Sequence, residues 1–441
     1  MTTRKDGETL TRVGPGTPMG EMFRQYWFPA ILSKELTADG DPVRLKLLGE
    51  QLIAFRDTAG KVGIMDHRCP HRCASMFYGR NEEGGIRCVY HGWKFDADGN
   101  CTDMPNVPAS QDFKHKVHAK AYKTHEQNGV VWVFMGDQQK VPPFPLFEVA
   151  MIPEEEMEIV CVQRACNYLQ ALEGDIDTSH FGFLHAGSVD PSVMDATNPT
   201  TYAVIDKSPE YIVSDTDWGT MYAAHRDLGD GRIHWRTASF AFPFWTMQPD
   251  GPFEKHITAR AWVPLDDEHT MFTFFNWKGN IPALRSDTQG VTLPDLEVEW
   301  DYQPNTTDWL GRWRLKSHEG NDYNIDRESQ RHRSYTGIRS VHLQDLAITE
   351  SMGPITDHGF EHLAPSDKMI TQTRRRLLNA VKKFKETGEA PPTVETPEVF
   401  LKARSGDFFA PKGQDFNDAY QEQMAASANP TGKLVYRAAA E

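Results

Sequence analysis

The sequence predicts an α+β fold in two domains, the first all-β and the second an antiparallel sheet with helices. Three observations carry this reading. Short β-branched and aromatic runs, split by turn residues, fill residues 43–66 and 201–278. From residue 321 the pattern turns helical. The 441 residues also exceed one ordinary core.

Taken in order, residues 11–30 (TRVGPGTPMGEMFRQYWFPA) open with a Gly/Pro turn and a short helical stretch. Strands at 43–48 and 51–56 flank a Gly49-Glu50 turn, and a third covers 62–66. Residues 67–105 are loop-rich and hold Cys and His. GVVWVFMG at 129–136 is a short apolar run bounded by Gly, which predicts a buried strand. The proline density of VPPFPLFEVAMIPEEEM (141–157) blocks helix and sheet interior alike, so a domain boundary falls there, dividing 1–142 from 143–441. A strand near 158–164 leads into a helix over 167–185. YAVID, YIVSD, MYAAHR, IHWRTASFAF, HITARAWV and MFTFFNW then predict antiparallel strands. Residues 341–352 and 368–387 fit helices, the second stopped by Gly388 and the Pro391-Pro392 pair. The basic run RRRLLNAVKKFK reads as a solvated face or protein contact, and 406–441 as an irregular arm.

The net charge of −15 argues against nucleic acid and acidic membranes, which need clustered Lys and Arg. No apolar run approaches the ~20 residues of a membrane helix, and MTTRKDGETL lacks the apolar core of a signal peptide. A cytoplasmic protein is expected. In that setting the six Cys favour metal binding over disulfides.

Residues 167–185 (NYLQALEGDIDTSHFGFLH) concentrate metal-active side chains. Glu173, Asp177 and His180 share one helix face at offsets of four and three. His185, five beyond His180, is turned away on an ideal helix, so convergence of both imidazoles requires a bulge or a helix end near Gly182. Two neutral imidazoles and a carboxylate, with positions left open, hold ferrous iron for oxygen chemistry. Alone, the pair also fits ordinary histidines on a part-buried helix.

A second signature alters that balance. Cys69-Pro-His71 is followed, after sixteen intervening residues, by Cys88-Val-Tyr-His91. One tetrahedral zinc could take all four, although zinc loops usually space their ligands by two to four residues. A Rieske [2Fe–2S] centre divides them, Cys69 and Cys88 on one iron, His71 and His91 on the other.

CPHRCAS…CVYHGWKFDADGNC followed by LEGDIDTSHFGFLH resembles the large (alpha) subunit of Rieske non-haem iron aromatic ring-hydroxylating oxygenases. TRVGPGTPMGEMFRQYW and VHLQDLAITESMGPITDHGFEHL are similar to the phthalate 4,5-dioxygenase branch. The likeness spans about residues 10 to 370. It implies an N-terminal Rieske domain and a C-terminal helix-grip (START-like) catalytic domain. Respiratory-chain Rieske proteins carry an extra disulfide between the loops. Cys73 could supply one half, but Tyr90 stands where its partner would. Cys101, Cys161 and Cys166 read as small buried hydrophobes.

The resemblance assigns His180 and His185 to a mononuclear Fe(II). It makes Asp177 the carboxylate that bridges an iron-ligand His to a Rieske-ligand His of a neighbouring subunit, with Glu173 in support. A head-to-tail contact of that kind closes into a ring, so a homotrimer, single or stacked to a hexamer, is expected. Asp326, Glu328, Asp345, Glu350 and Asp357 are candidates for the third iron ligand, and the likeness of QDLAITES favours Asp345. The implied reaction consumes O2 as co-substrate and NADH through a separate flavin/iron–sulfur reductase, since no G-x-G-x-x-G follows a strand here.

The expected substrate is an aromatic acid of the phthalate or substituted-benzoate type, hydroxylated or dihydroxylated. O-demethylation of a methoxy-aromatic acid is the alternative at the same iron, and an electron carrier without catalysis the alternative of another class. The acid needs a cation, for which Lys207, Arg226, Arg232, Arg236 and Arg260 are candidates on the expected sheet. Phe181, Phe183 and FAFPFW (240–245) either wall a flat slot or form core.

Overall fold

The computed structural model describes residues 2–177, 179–187, 199, 201–205, 208–280 and 300–427. The first sheet is antiparallel, in spatial order Trp27–Leu32, Val130–Phe134, Ala121–Gln127, Val62–Asp66, Glu50–Arg56 and Val43–Leu47. Val130–Phe134 is buried throughout because it lies inside the sheet and under the second domain. The helical stretch read from 11–30 is the Pro18–Phe23 helix, and the end of that segment belongs instead to the Trp27–Leu32 strand.

The loop-rich segment 67–105 is pinned by a second, four-stranded sheet of very short strands: Arg80–Glu82, Gly85–Arg87, Lys94–Phe95 and Cys101–Asp103. It has its own small core, in which Phe55, Ile86, Trp93 and Phe95 surround Cys69 and Cys88.

The third sheet runs Met157–Arg164, Thr270–Trp277, Thr258–Pro264, Trp245–Met247, Arg232–Ala241, Gly219–Asp227 and Glu210–Asp215. Helices Tyr168–Ile176, Val341–Ser351 and Lys368–Thr387 accompany it. Gly388 ends the last of these in a left-handed cap, φ +68°, where its missing Cβ removes the steric cost.

Three expectations need correction. YAVID is helical over Thr201–Ile205, not a strand; its Asp206, like Lys207, lies outside the described residues. The tail is not an irregular arm: Gly406–Pro411 pairs antiparallel with Arg232–Ala241, and Phe416–Ala426 is a helix capped by Asp415. Residues 428–441 lie outside the described residues. The basic helix is not simply a solvated face, because Arg374 is buried and Arg376 donates to the carbonyls of Thr216 and Gly219.

The first and third sheets share one core. Trp132 stacks on Trp245 and on Phe275, each at 5.8 Å between centroids, and Phe28 meets Phe244 at 4.9 Å. Each such buried aromatic contributes on the order of 2–3 kcal/mol. Polar clasps join the domains elsewhere: Arg312 forks onto Glu35, Lys46 pairs with Asp266, and Arg44 lies 3.8 Å over Phe77 while donating to the carbonyl of Thr307. The first helix, Arg4–Thr11, opens with a Thr3–Asp6 capping box and packs on the second domain, where Tyr168 Oη donates to Leu10 O at 2.8 Å.

Candidate active site

The segment expected as one helix is broken. Asn167 caps the Tyr168–Ile176 helix through its side chain, which accepts from Leu169 N. The backbone turns extended at Asp177 (φ −85°, ψ 111°) and resumes as a single turn over Phe181–Leu184. Tertiary contacts hold the first piece. Gln170 donates to the carbonyls of Thr349 and Gly353, and Arg374 grips both oxygens of Glu173 at 2.5 and 2.6 Å while also pairing with Glu361. Glu173 therefore meets Asp177 only through the backbone, where Asp177 N donates to Glu173 O at 3.0 Å.

The break reorients the imidazoles. His180 now precedes the short turn and His185 follows it. Their Nε2 atoms lie 3.5 and 3.3 Å from Asp345 Oδ1. Among the described residues, His180, His185 and Asp345 are the one group of three or more His, Cys, Asp or Glu whose ligand atoms all lie within 4.8 Å of one another. Such spacings suit one first-row ion with bonds of about 2.1 Å.

The outward nitrogens are also committed. His185 is 2% exposed, and its Nδ1 donates at 2.7 Å to Gln344 Oε1, whose orientation is fixed because Gln344 Nε2 donates to Ile338 O at 2.8 Å. His180 Nδ1 faces Asp177 Oδ2 at 3.6 Å. The first places the proton on His185 Nδ1 and leaves its Nε2 lone pair for a metal; the second sets a carboxylate beside His180 Nδ1, which favours the same tautomer once a metal takes Nε2. Ser179 donates to Asp177 Oδ1 from its N and its Oγ, each at 2.8 Å. Burial disfavours charge on Asp177, His180 and Asp345. Even so, its carboxylate partners Asp177 and Asp345 lift metal-free His180 to about 10, and the histidines hold Asp345 well below the usual carboxyl range.

The other candidate carboxylates are occupied elsewhere. Glu350 accepts from Ala165 N and Tyr323 Oη, Asp326 caps the Arg327–His332 helix, Glu328 pairs with Arg331, and Asp357 accepts from Gly359 N.

The Cys/His loops are near-copies of each other. Cys69 N donates to Ala74 O and Cys88 N to Trp93 O, both at 2.8 Å; Cys73 N donates to Cys69 O and Gly92 N to Cys88 O, both at 2.9 Å. Cys73 (φ +60°) and Gly92 (φ +78°) take the same left-handed turn, and a Cβ at Gly92 would lie 2.5 Å from Pro105. All six cysteines are free. His71 and His91 sit 4.5 Å apart between ring centroids, and His91 Nδ1 is buried with no protein partner. Cys69, His71, Cys88 and His91 do not form a group of ligand atoms within 4.8 Å, unlike the other three-residue set. That spread suits four ligands shared over two irons and not four on one tetrahedral ion.

A cavity of about 600 Å³ opens beside His180, His185 and Asp345, walled by Trp262, Phe272 and Trp300 among others. Phe181 lines it, whereas Phe240, Phe242, Phe244 and Trp245 are core. Of the candidate cations, Arg236 and Arg260 line the cavity, Arg232 is paired with Asp230 on the surface, and Arg226 is buried beside His234. Lys207 lies outside the described residues. Arg164 and Gln344 are not among the residues the sequence singles out. A strand-end arginine and a helical glutamine carry no local signal.

The Rieske [2Fe–2S] domain family matches residues 26–123, and the LigXa C-terminal-domain-like family matches residues 133–432. The chain belongs to the Rieske oxygenases, as a large subunit. A Rieske oxygenase is an oxidoreductase that uses a [2Fe–2S] cluster and a mononuclear iron, and the two donor sets above fit those groups. The 3-chlorobenzoate-3,4-dioxygenase oxygenase subunit of Comamonas testosteroni is 48% identical over 96% of this chain and 99% of its own length. The phthalate 4,5-dioxygenase oxygenase subunit of Pseudomonas putida is 35% identical, covering 95% and 94%. The fold is that of dicamba monooxygenase bound to dicamba (TM-score 0.54, 15% identity, 82% of this chain and 98% of that one). Among the described residues, no helix of this Rieske oxygenase is long and apolar enough to cross a membrane.

Proposed function

We propose that this Rieske oxygenase hydroxylates or dihydroxylates an aromatic acid of the substituted-benzoate or phthalate type, with O2 and with NADH delivered through a separate flavin/iron–sulfur reductase. The observation that carries this is the convergence of His180, His185 and Asp345 on an aromatic-walled cavity. The relatives named for chlorobenzoate and phthalate support the substrate class.

In this reading His180, His185 and Asp345 hold the iron, and Cys69, His71, Cys88 and His91 hold the cluster. When bound, the iron supplies O2 activation and the cluster supplies electrons singly. The chain's own residues set the stage. Gln344 and Asp177 keep both imidazoles with Nδ1 protonated. Ser179 ties down one oxygen of Asp177, and the partly exposed carboxylate keeps an edge for a cluster histidine of the next subunit. Glu173 supports it by anchoring the helix end through Arg374.

A homotrimer, single or stacked to a hexamer, follows from that bridge. Its support is a pair of exposed apolar rims. Tyr78, Val89 and Tyr90 are 66%, 59% and 53% exposed around the cluster loops, and Ile348, Met352 and Phe360 are exposed on the catalytic domain. A cytoplasmic location and a domain division at 142/143 complete the reading. The stretch 141–147, free of helix and strand, supports the division.

The test is a panel of benzoates, phthalate and methoxybenzoates with a matched reductase, scored for NADH-coupled product and for formaldehyde. Hydroxylated benzoate without formaldehyde is expected. Formaldehyde release would favour O-demethylation, the activity named for a relative 31% identical over 99% of this chain. NADH oxidation with every acid left intact would contradict both.

A further inference from the structure

The three arginines that line the cavity differ in what they already hold. Arg260 donates to Asp175 and, at 2.8 Å, to Asp250. Arg236 donates to Asp407 at 2.9 Å. Arg164 forms no ion pair among the described residues; its Nη1 donates to the neutral Thr349 Oγ1 at 3.0 Å, and its buried Nε has no partner. The guanidinium lies 4.8 Å over Trp262 and 5.5 Å over Phe272. His342 packs against the same Phe272 at 5.2 Å and against Trp300 at 4.6 Å, and its Nε2 is likewise buried without a partner. Arg164 Nε and His342 Nε2, both without a protein partner, therefore share one aromatic wall of the cavity, to which Arg260, its Nε likewise unpartnered but its Nη atoms held by carboxylates, also belongs. Buried cations and buried N–H groups are strongly unfavourable unless paired, so this corner is suited to an anion.

We propose that Arg164 and His342 form the subsite for the carboxylate of an aromatic monocarboxylate, Arg164 supplying the charge and His342 one hydrogen bond. This rests on the aromatic-acid reading above and narrows it. Burial, with Arg164 beside it, holds His342 well below the usual imidazole range, so it adds a donor and no charge. Arg164 has no contact ion pair, although Asp345, Glu350 and Asp175 act on it at longer range, and one such buried cation matches one carboxylate. A second carboxylate, as in phthalate, would meet Asp175, Asp250 and Asp345 on the same cavity lining. Thr349 stands four residues after Asp345 on one helix, so the anchor is tied to the element that carries the iron-site carboxylate. The flat ring then lies against Trp262, Phe272 and Trp300.

The experiment measures binding of benzoate, benzamide and phthalate to the iron-loaded oxygenase by calorimetry, with wild type, R164Q, R164K and H342L. Wild type is expected to bind benzoate at least about tenfold more tightly than benzamide or phthalate. R164Q is expected to weaken benzoate about 100-fold, the size of a lost charge-assisted pair, with benzamide changed less than about threefold. R164K should recover part of the loss, and H342L should cost benzoate about tenfold. Equal losses for benzoate and benzamide, or a benzoate preference that survives R164Q, would overturn the assignment. If R164Q lacks the [2Fe–2S] spectrum, the wild-type ranking decides: benzoate and benzamide bound alike overturns it. Binding of none of the three would instead fail the aromatic-acid reading, and the subsite with it.

Discussion

Gln344 Oε1 accepts from His185 Nδ1 at 2.7 Å, and Gln344 is the residue immediately before Asp345. One helix, Val341–Ser351, thus supplies both a candidate ligand and the group that orients another. Replacing Gln344 by Leu keeps the bulk and frees His185 to rotate or change tautomer. Iron affinity is expected to fall about 10- to 100-fold, with the cluster intact. Iron titration of the metal-depleted protein against an unchanged visible spectrum checks this; unaltered affinity would remove Gln344 from the site.

Asp177 faces His180 with one oxygen and Ser179 with the other. Asp177→Asn is nearly isosteric and removes the charge. Both metals are expected to stay bound while coupled turnover drops about 100-fold or more. Full turnover with both metals in place would end the bridging role.

Arg374 is a buried cation shared by Glu173 and Glu361. Arg374→Ala leaves two carboxylates facing each other without it. A loss of about 3 kcal/mol of unfolding free energy, read from denaturant titration, is expected, because Glu173 becomes an uncompensated buried charge. A shift below ~0.5 kcal/mol would mean the clasp is slack.

Acid stability should report on the domain clasp at Asp266. Burial opposes its ionisation, but His269 and Lys46 outweigh that and hold it well below the usual carboxyl range. A folded-state pKa below the unfolded value of about 3.9 gives stability that is complete above that pH and is lost as the pH falls toward the folded pKa. Asp266→Asn should therefore be less stable than wild type at pH 7, with the gap closing below about pH 4. A gap that stays constant from pH 7 to pH 3 would contradict this.

What the sequence disclosed was what lay close together along it. Each half of the Cys/His signature spans a few residues of one tight loop, so its spacing survives folding unchanged. Many strands of both large sheets were legible because their alternation and turn residues are local too, but Trp27–Leu32, Ala121–Gln127 and Trp245–Met247 were not. The bend that aims His180 and His185 was not: the Tyr168–Ile176 helix stops at Ile176 against Arg374, Gln170's partners and the 353–354 turn, all far along the chain. Arg164 looked like any strand-end arginine until Trp262 and Phe272, from two other strands, closed over it. The short run GDFFAP was too brief to announce a strand, and it becomes one only because Arg232–Ala241 offers an edge.

The most direct test is a joint count of iron and acid-labile sulfide on the purified oxygenase, with EPR of the reduced protein. About three irons and two sulfides per chain, with a Rieske signal and a separate high-spin iron, are expected. Zinc in the Cys69–His91 loops, or a single kind of iron, would contradict the two-centre enzyme.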